Sequence, residues 1–309
     1  MAVQIKTNDP LVSVIIPTYN RSRVLPRTLS SLKRQTYKNL EVIVIDDAST
    51  DDTEKVVKSF ERDLNLVYFK NKINLKIPAR SRNIGLKKAS GEYFALLDDD
   101  DEFLEKKIEI QLRTAQSLDE KAFILCNGFT IGKKSRYFVD IEKPSGFIPR
   151  GKGIFPARYK LPFPSSWFFH RELVDKIGYF DEDMFTYDDV DYSIRLMAEY
   201  PAYMVNQCLV NWHTSYPALS GLSMEHIEAR KYFLKKHLDW IREDRFCLYK
   251  FYWSLGKDFK QLGRTTEAIQ YFKKAFFVKP YKLEAAGKIV GLLCKDIVAK
   301  TKMQGVHKL

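Results

Sequence analysis

Residues 95–105 read ALLDDDDEFLE. An apolar run ends at Leu97 and meets four consecutive aspartates. Adjacent like charges repel, by about 1 kcal/mol for two unit charges 4 Å apart even in bulk water. Such a run needs either a solvated loop or a cation. The strand context decides between them. YFALLD (93–98) is one of several short apolar runs rich in β-branched and aromatic residues, with VSVIIP (12–17), EVIVID (41–46), LVYF (66–69) and FILCN (123–127). Each reads as a strand, VSVIIP and EVIVID as strands buried on both faces.

The segments between them have helical spacing. RVLPRTLSSLKRQ (23–35) places Val24, Leu25, Leu29 and Leu32 on one face. ASTDDTEKVVKSF begins a helix that Ser49 or Thr50 can cap, with Asp51 and Asp52 at its positive end. PARSRNIGLKKA (78–89) starts on Pro78, and KKIEIQLRTAQ supplies another helix. Strand alternating with helix predicts an α/β fold: a Rossmann-like, mostly parallel sheet covered on both faces. Ligands of such sheets sit beyond the carboxyl ends of the strands. That rim would gather Thr18, Tyr19 and Asn20, then Asp46 and Asp47, then the four aspartates 98–101.

Asp98 and Asp100 are two apart, so in an extended chain they would project to one side and could seat Mg²⁺ or Mn²⁺. Asp188, Asp189 and Asp191 form a second acidic cluster, from which a general base or a helix cap paired to Arg195 can be drawn. Arg80 and Arg82 flank a helix beside Asn83 and suit phosphate or ribose contacts. His213 is either a third metal ligand, a phosphate donor or a structural residue beside Trp212. Residues 128–170, with Gly146, Gly151, Gly153, Pro149, Pro156, Pro162 and Pro164, read as a loop-rich, substrate-side segment.

Four stretches in series, VSVIIPTYNR, LEVIVIDDASTDDT, ARSRNIGLKKASGEYFALLDDDDEFL and GYFDEDMFTYDDVDYSIRL, resemble family-2 glycosyltransferases of the GT-A fold over about residues 10–220. The resemblance implies transfer of a hexosyl group from a nucleotide-sugar, usually a UDP-sugar, with inversion and with Mn²⁺ or Mg²⁺. By position it implies that Pro17, Tyr19 and Asn20 line the nucleobase pocket and that Asp47 bonds the base. Arg80 would reach the ribose or diphosphate. The Asp-x-Asp motif falls on Asp98 and Asp100, with Asp100 the nearer metal ligand and Asp99 close to the ribose. Asp189 would be the catalytic base, with Asp188 on the acceptor side. Apart from the resemblance, acceptor choice is expected in residues 128–170 and around Ser165, Ser166 and Trp167. Asp188 stands where the family more often has glutamate, and the unbroken aspartate run leaves the metal register open by one residue. No Gln-x-x-Arg-Trp motif and no membrane span is found, so one sugar per encounter is expected. The implied acceptor is a saccharide or a lipid-linked sugar, in surface polysaccharide or glycolipid assembly.

The net charge of +12 is concentrated in the tail. Residues 216–309 hold 19 Lys and Arg against 9 Asp and Glu. YKFYWSLGKDFKQLGRTTEAIQYFKKAFFVKPY (249–281) resembles a single tetratricopeptide repeat, giving a catalytic domain over 1–220 and a helical region over 221–309 with a repeat-like hairpin at 249–282. One repeat cannot bury its apolar face alone. Flanking helices near 223–241 and 283–300, the catalytic domain or a second copy in a homodimer would complete it. The basic helices also suit peripheral contact with anionic lipid. No nucleic-acid motif is present, so no nucleic-acid partner is expected. The scattered cysteines and the absence of a leader favour a cytoplasmic location, at the inner face of the membrane if the tail binds lipid. The competing reading is a catalytically degenerate domain that docks partners through the repeat.

Overall fold

The computed structural model describes residues 9–132, 136–139, 145–148, 163–214, 222–281, 283–284 and 286–292. The chain divides into two compact units, Met1–Ala218 and Leu219–Leu309.

The first unit is built on a mixed sheet. Its strands are β1 (Val12–Thr18), β2 (Leu40–Asp46), β3 (Leu66–Lys70), β4 (Tyr93–Leu96), β5 (Glu102–Phe103), β6 (Phe123–Ile131), β7 (Arg136–Val139), β8 (Gly146–Ile148), β9 (Phe168–His170) and β10 (Ala202–His213). Their order is β3-β2-β1-β4-β9-β6-β10-β5, with β7 on β6 and β8 on β10. The first four run parallel, as the alternation of strands and helices predicts. The other half departs from the expectation. β9 enters antiparallel between β4 and β6, and β10 pairs parallel with β6. Neither strand was expected. WFFH falls within residues 128–170, which read as a loop-rich segment.

Helices α1 (Leu25–Lys33), α2 (Thr53–Lys58), α3 (Pro78–Lys88), α4 (Lys107–Ser117), α5 (Arg171–Ile177) and α6 (Asp188–Glu199) cover both faces. Successive residues of β1 point oppositely, and the two cores show it. Val12, Val14 and Ile16 pack with Leu25, Leu29, Val57 and Ile108 on one face. Ile15 packs with Ala79, Leu86, Leu173 and Leu196 on the other. The helix after β2 starts at Thr53, later than expected, and neither Ser49 nor Thr50 caps it. Ser49 Oγ instead accepts the Asn20 N–H at 2.8 Å, and Thr50 donates its N–H to Asn20 Oδ1. The capping residues of the sequence pattern thus join two rim loops.

The second unit is helical: α7 (Met224–Lys236), α8 (Leu238–Glu243), α9 (Arg245–Gln261) and α10 (Thr265–Val278). α9 and α10 form a hairpin whose turn places Gly263 at φ +75°, where a side chain is disfavoured. A β-carbon on Gly256 would lie 2.7 Å from the Phe272 ring, so the hairpin closes only on glycine there. The expected helix 283–300 is described only as far as residue 292; the rest of it, and residues 149–162 of the substrate-side segment, lie outside the described residues.

Gly85 sets the distance between α3 and β1, because a β-carbon there would collide with Ile15 Cγ2. Helix propensity alone favours Gly85→Ala by about 1 kcal/mol. Overpacking is expected to win, with a net loss of about 1–3 kcal/mol in urea unfolding.

Candidate active site

The parallel register brings three strand ends level. Thr18 pairs with Asp46, and Leu97 continues β4 by donating its N–H to the Ile15 carbonyl at 3.0 Å. Strand order reverses between β1 and β4, which opens a crevice at this rim. The loops there tie to one another through Asn20, Ser49 and Thr50, and through the Ser22 N–H on Asp51 at 3.0 Å. Four described non-glycine residues have φ > 0: Asn20, Ala48, Lys76 and Tyr187. All lie in segments that frame this rim, the pattern expected where backbone strain is kept at a working site.

The aspartate run is not extended. Asp101 donates its N–H to the Asp98 carbonyl at 3.1 Å, closing a turn over Asp99 and Asp100. The alternation argument for Asp98 and Asp100 therefore does not apply. The four carboxylates are divided among several partners, with Asp99 and Asp100 sharing one arginine. Asp98 Oδ1 accepts from Arg82 at 2.8 Å. Asp99 and Asp100 lie 3.6 Å and 3.9 Å from the Arg21 guanidinium. Asp101 is buried, accepting from Ser165 Oγ and from the His213 N–H at 3.0 Å. Helix α1 holds the turn through its carbonyls: Thr28 Oγ1 lies 2.8 Å from the carbonyls of Asp99 and Asp101, and Arg27 donates to that of Asp100. Residual repulsion remains. Burial and then the neighbouring carboxylates, against the pull of Arg21, push Asp99 up to about 7. Burial and Asp98 also raise Asp100.

Arg82 is the hub. Its side chain is buried, with Nη2 on Asp98 and Nη1 on Asp188 Oδ2 at 2.7 Å. Burial works against its charge, but Asp98 and Asp188 hold it protonated above the ordinary arginine value. Phe180 lies under the guanidinium at 5.8 Å. Asn83 fixes that phenylalanine by a reciprocal pair of 2.9 Å bonds with its backbone. Sequence reasoning preferred Arg80. The structure sends Arg80 elsewhere, to the carbonyls of Glu182 and Leu75 at 3.1 and 3.4 Å, where it ties two loops together. A signal for Arg82 was present: Ala79, Arg82, Asn83 and Leu86 share the buried stripe of α3.

Asp188 and Asp189 open α6. Asp188 is buried and Asp189 half-buried, with Asp189 Oδ1 accepting the Val190 N–H at 2.7 Å. Burial, then the Asp188 charge, raise Asp189 to about 6, while Arg82 opposes the rise. Asp191 does not belong to this pair. It is fully buried and bound to Arg195 at 3.0 Å, a structural ion pair.

Other expected residues fall in varied places. Pro17 and Tyr19 are half-buried at the end of β1 and Asn20 is exposed. Asp47 accepts from Asn71 Nδ2 at 2.8 Å and from the N–H groups of Leu75 and Lys76, so its carboxylate holds the loop after β3. Two more of the expected residues are held inside the protein or by a protein carboxylate. Trp167 is 2 % exposed, stacked among Phe180, Tyr192 and Phe123, and has no face to offer an acceptor. His213 points its Nε2 at Glu102 Oε1, 2.7 Å away, and burial followed by Arg27 keeps it below the ordinary histidine range. Among the described residues no group of three His, Cys, Asp or Glu side chains is placed to hold a metal ion. The remaining donor set still fits a hard divalent cation. Asp100 and the Asp98 oxygen not used by Arg82 are hard carboxylate donors, and water and phosphate oxygens can complete the shell.

The sequence model of glycosyl transferase family 2 matches residues 13–178 of the chain. The chain belongs to glycosyl transferase family 2. The matched span contains the rim loops, Arg82 and the aspartate turn; Asp188 and Asp189 lie just past it. An uncharacterised glycosyltransferase of Rickettsia typhi is 26% identical over 311 residues, covering 97% of this chain and 94% of that one. The GalNAc(5)-diNAcBac-PP-undecaprenol beta-1,3-glucosyltransferase of Campylobacter jejuni is 41% identical over 174 residues, 53% of this chain and 56% of its own length. The crystal structure of S. aureus TarS 1-349 in complex with UDP-GlcNAc has a TM-score of 0.69 at 19% identity, covering 95% of this chain and 92% of that one. That likeness identifies the GT-A fold of this glycosyltransferase. No helix among its described residues is long and apolar enough to cross a membrane.

Proposed function

We propose that this glycosyltransferase moves one hexosyl group from a UDP-sugar to a hydroxyl of a saccharide or lipid-linked acceptor, with inversion and with Mn²⁺ or Mg²⁺ bound. The observation that carries the reading is the Asp98–Arg82–Asp188 bridge, which joins the donor-side aspartate turn to the acidic pair on α6. The Campylobacter relative acts, by its name, on a sugar linked to undecaprenyl diphosphate, and the TarS structure holds UDP-GlcNAc. Both support the donor and acceptor classes.

In this reading the residues divide the work. Pro17, Tyr19, Asn20 and Asp47 receive the nucleobase, and Asp47 would trade some of its loop bonds for it. Asp98 and Asp100 hold the cation, which when bound supplies positive charge to the departing diphosphate. Asp99 faces the ribose, paired with Arg21. Asp189 takes the proton from the acceptor hydroxyl, which attacks the anomeric carbon opposite the leaving group. Asp188 orders Arg82 and faces the acceptor side. The hairpin α9–α10 is read as one tetratricopeptide-like unit in a tail that follows a catalytic domain ending near residue 220.

Two measurements test this. UDP with Mn²⁺ should raise the melting temperature by a few degrees, more than GDP or CDP, as expected when ligand is well above its Kd. The shift should vanish with EDTA or in Asp100→Ala; an equal shift in that variant, or none in a folded wild type, rejects the donor site. Asp189 must be ionised to act, so kcat/KM should fall as pH drops through about 6 and level off above it. Asp188→Asn removes a like charge and should move that limb to lower pH. Asp189→Asn should lower kcat by about 10²–10⁴-fold and keep the UDP shift.

A further inference from the structure

One end of the α9–α10 hairpin carries an apolar and basic surface that the transfer chemistry does not use. Phe246 is 43% exposed, Phe277 77% and Tyr281 69%, and Leu283 and Val290 are also open to solvent. The start of α9 and the end of α10 are joined there. Arg245 Nη2 donates to the Val278 carbonyl at 2.8 Å. Lys279 Nζ lies 4.7 Å from the centre of the Phe246 ring and 5.7 Å from that of Tyr281. Lys250 Nζ lies 4.4 Å from the centre of the Phe246 ring as well. Two ammonium groups therefore border the Phe246 ring, and one of them also lies beside Tyr281. Single exposed apolar residues are ordinary; a cluster of them is not.

We propose that this patch docks on an anionic lipid bilayer. The charge selects the partner's sign: residues 216–309 carry 19 cationic against 9 anionic side chains. A second copy would bring the same excess and be repelled. A nucleic acid would satisfy the lysines but offers no apolar interior to Phe277, Leu283 or Val290. A bilayer surface meets both needs, since aromatic rings settle among headgroups while ammonium groups pair with their phosphates. The patch stands independently of the sugar chemistry proposed above.

The test is flotation of the full-length chain with vesicles of phosphatidylcholine alone or mixed with phosphatidylglycerol, at low and high salt. Binding is expected only to the mixed vesicles, weakening as salt rises. The triple variant Phe246→Ser, Phe277→Ser, Tyr281→Ser should bind about tenfold more weakly. Lys250→Glu with Lys279→Glu should weaken it further at low salt. Because these side chains are exposed or partly so, thermal unfolding should stay close to wild type. The proposal is overturned by no binding, by equal binding to neutral vesicles, or by variants that float like the wild type. It is overturned too if the variants lose only self-association in light scattering, which would assign the patch to a second copy.

Discussion

A single buried guanidinium holds this active site together. Arg82 sits between Asp98 and Asp188, far apart in the chain, and bonds both. A charged group taken out of water is tolerated only when it is paired and hydrogen-bonded. Each member of this bridge depends on the others for that. Asp188 without Arg82 would be a buried carboxylate beside Asp189. Arg82 without its carboxylates would be a cation held inside the protein over Phe180. The bridge thus makes the aspartate turn and the start of α6 one electrostatic unit, and its Arg82 opposes the rise that burial and then Asp188 impose on Asp189.

The fold supplies the bridge from both sides. α3 crosses from β3 to β4 and packs on β1 at Gly85, so its buried stripe runs toward the rim. Asn83, one residue on, grips the Phe180 backbone and fixes the approach to α6. Ser165 performs a similar task on the other side, accepting the Asp98 N–H at 3.1 Å and donating to Asp101. The crowded aspartates are therefore distributed over Arg82, Arg21, Ser165 and the His213 N–H, with Arg21 shared by Asp99 and Asp100.

Much of this was legible in the residues. β1 to β4 and their helices follow from apolar runs, period and proline placement; β1, β2 and β4 are buried on both faces and leave a strong local signal, while β3 is a partly exposed strand. The positions of Asp47, Asp98 and Asp189 followed from motif order. What failed was long-range. β9 is three residues long and stable only between β4 and β6, so its aromatic residues looked like substrate-side loop and Trp167 like a ligand contact. The turn at residues 98–101 depends on α1 and on Ser165, which no local pattern announces. Arg80 and Arg82 are two positions apart on one helix, and choosing between them required knowing which face is buried. The stripe of Ala79, Asn83 and Leu86 held that answer, but chemistry-first reading passed over it.

The most direct test of the bridge is a double-mutant cycle of Arg82→Met and Asp188→Asn, read by urea unfolding at neutral pH. Removing the arginine alone should cost about 3 kcal/mol, since it leaves a buried carboxylate unpaired. Adding Asp188→Asn should recover part of that loss, giving a coupling of about 1 kcal/mol or more. Effects that simply add, to within about 0.5 kcal/mol, would show that the two side chains do not support one another.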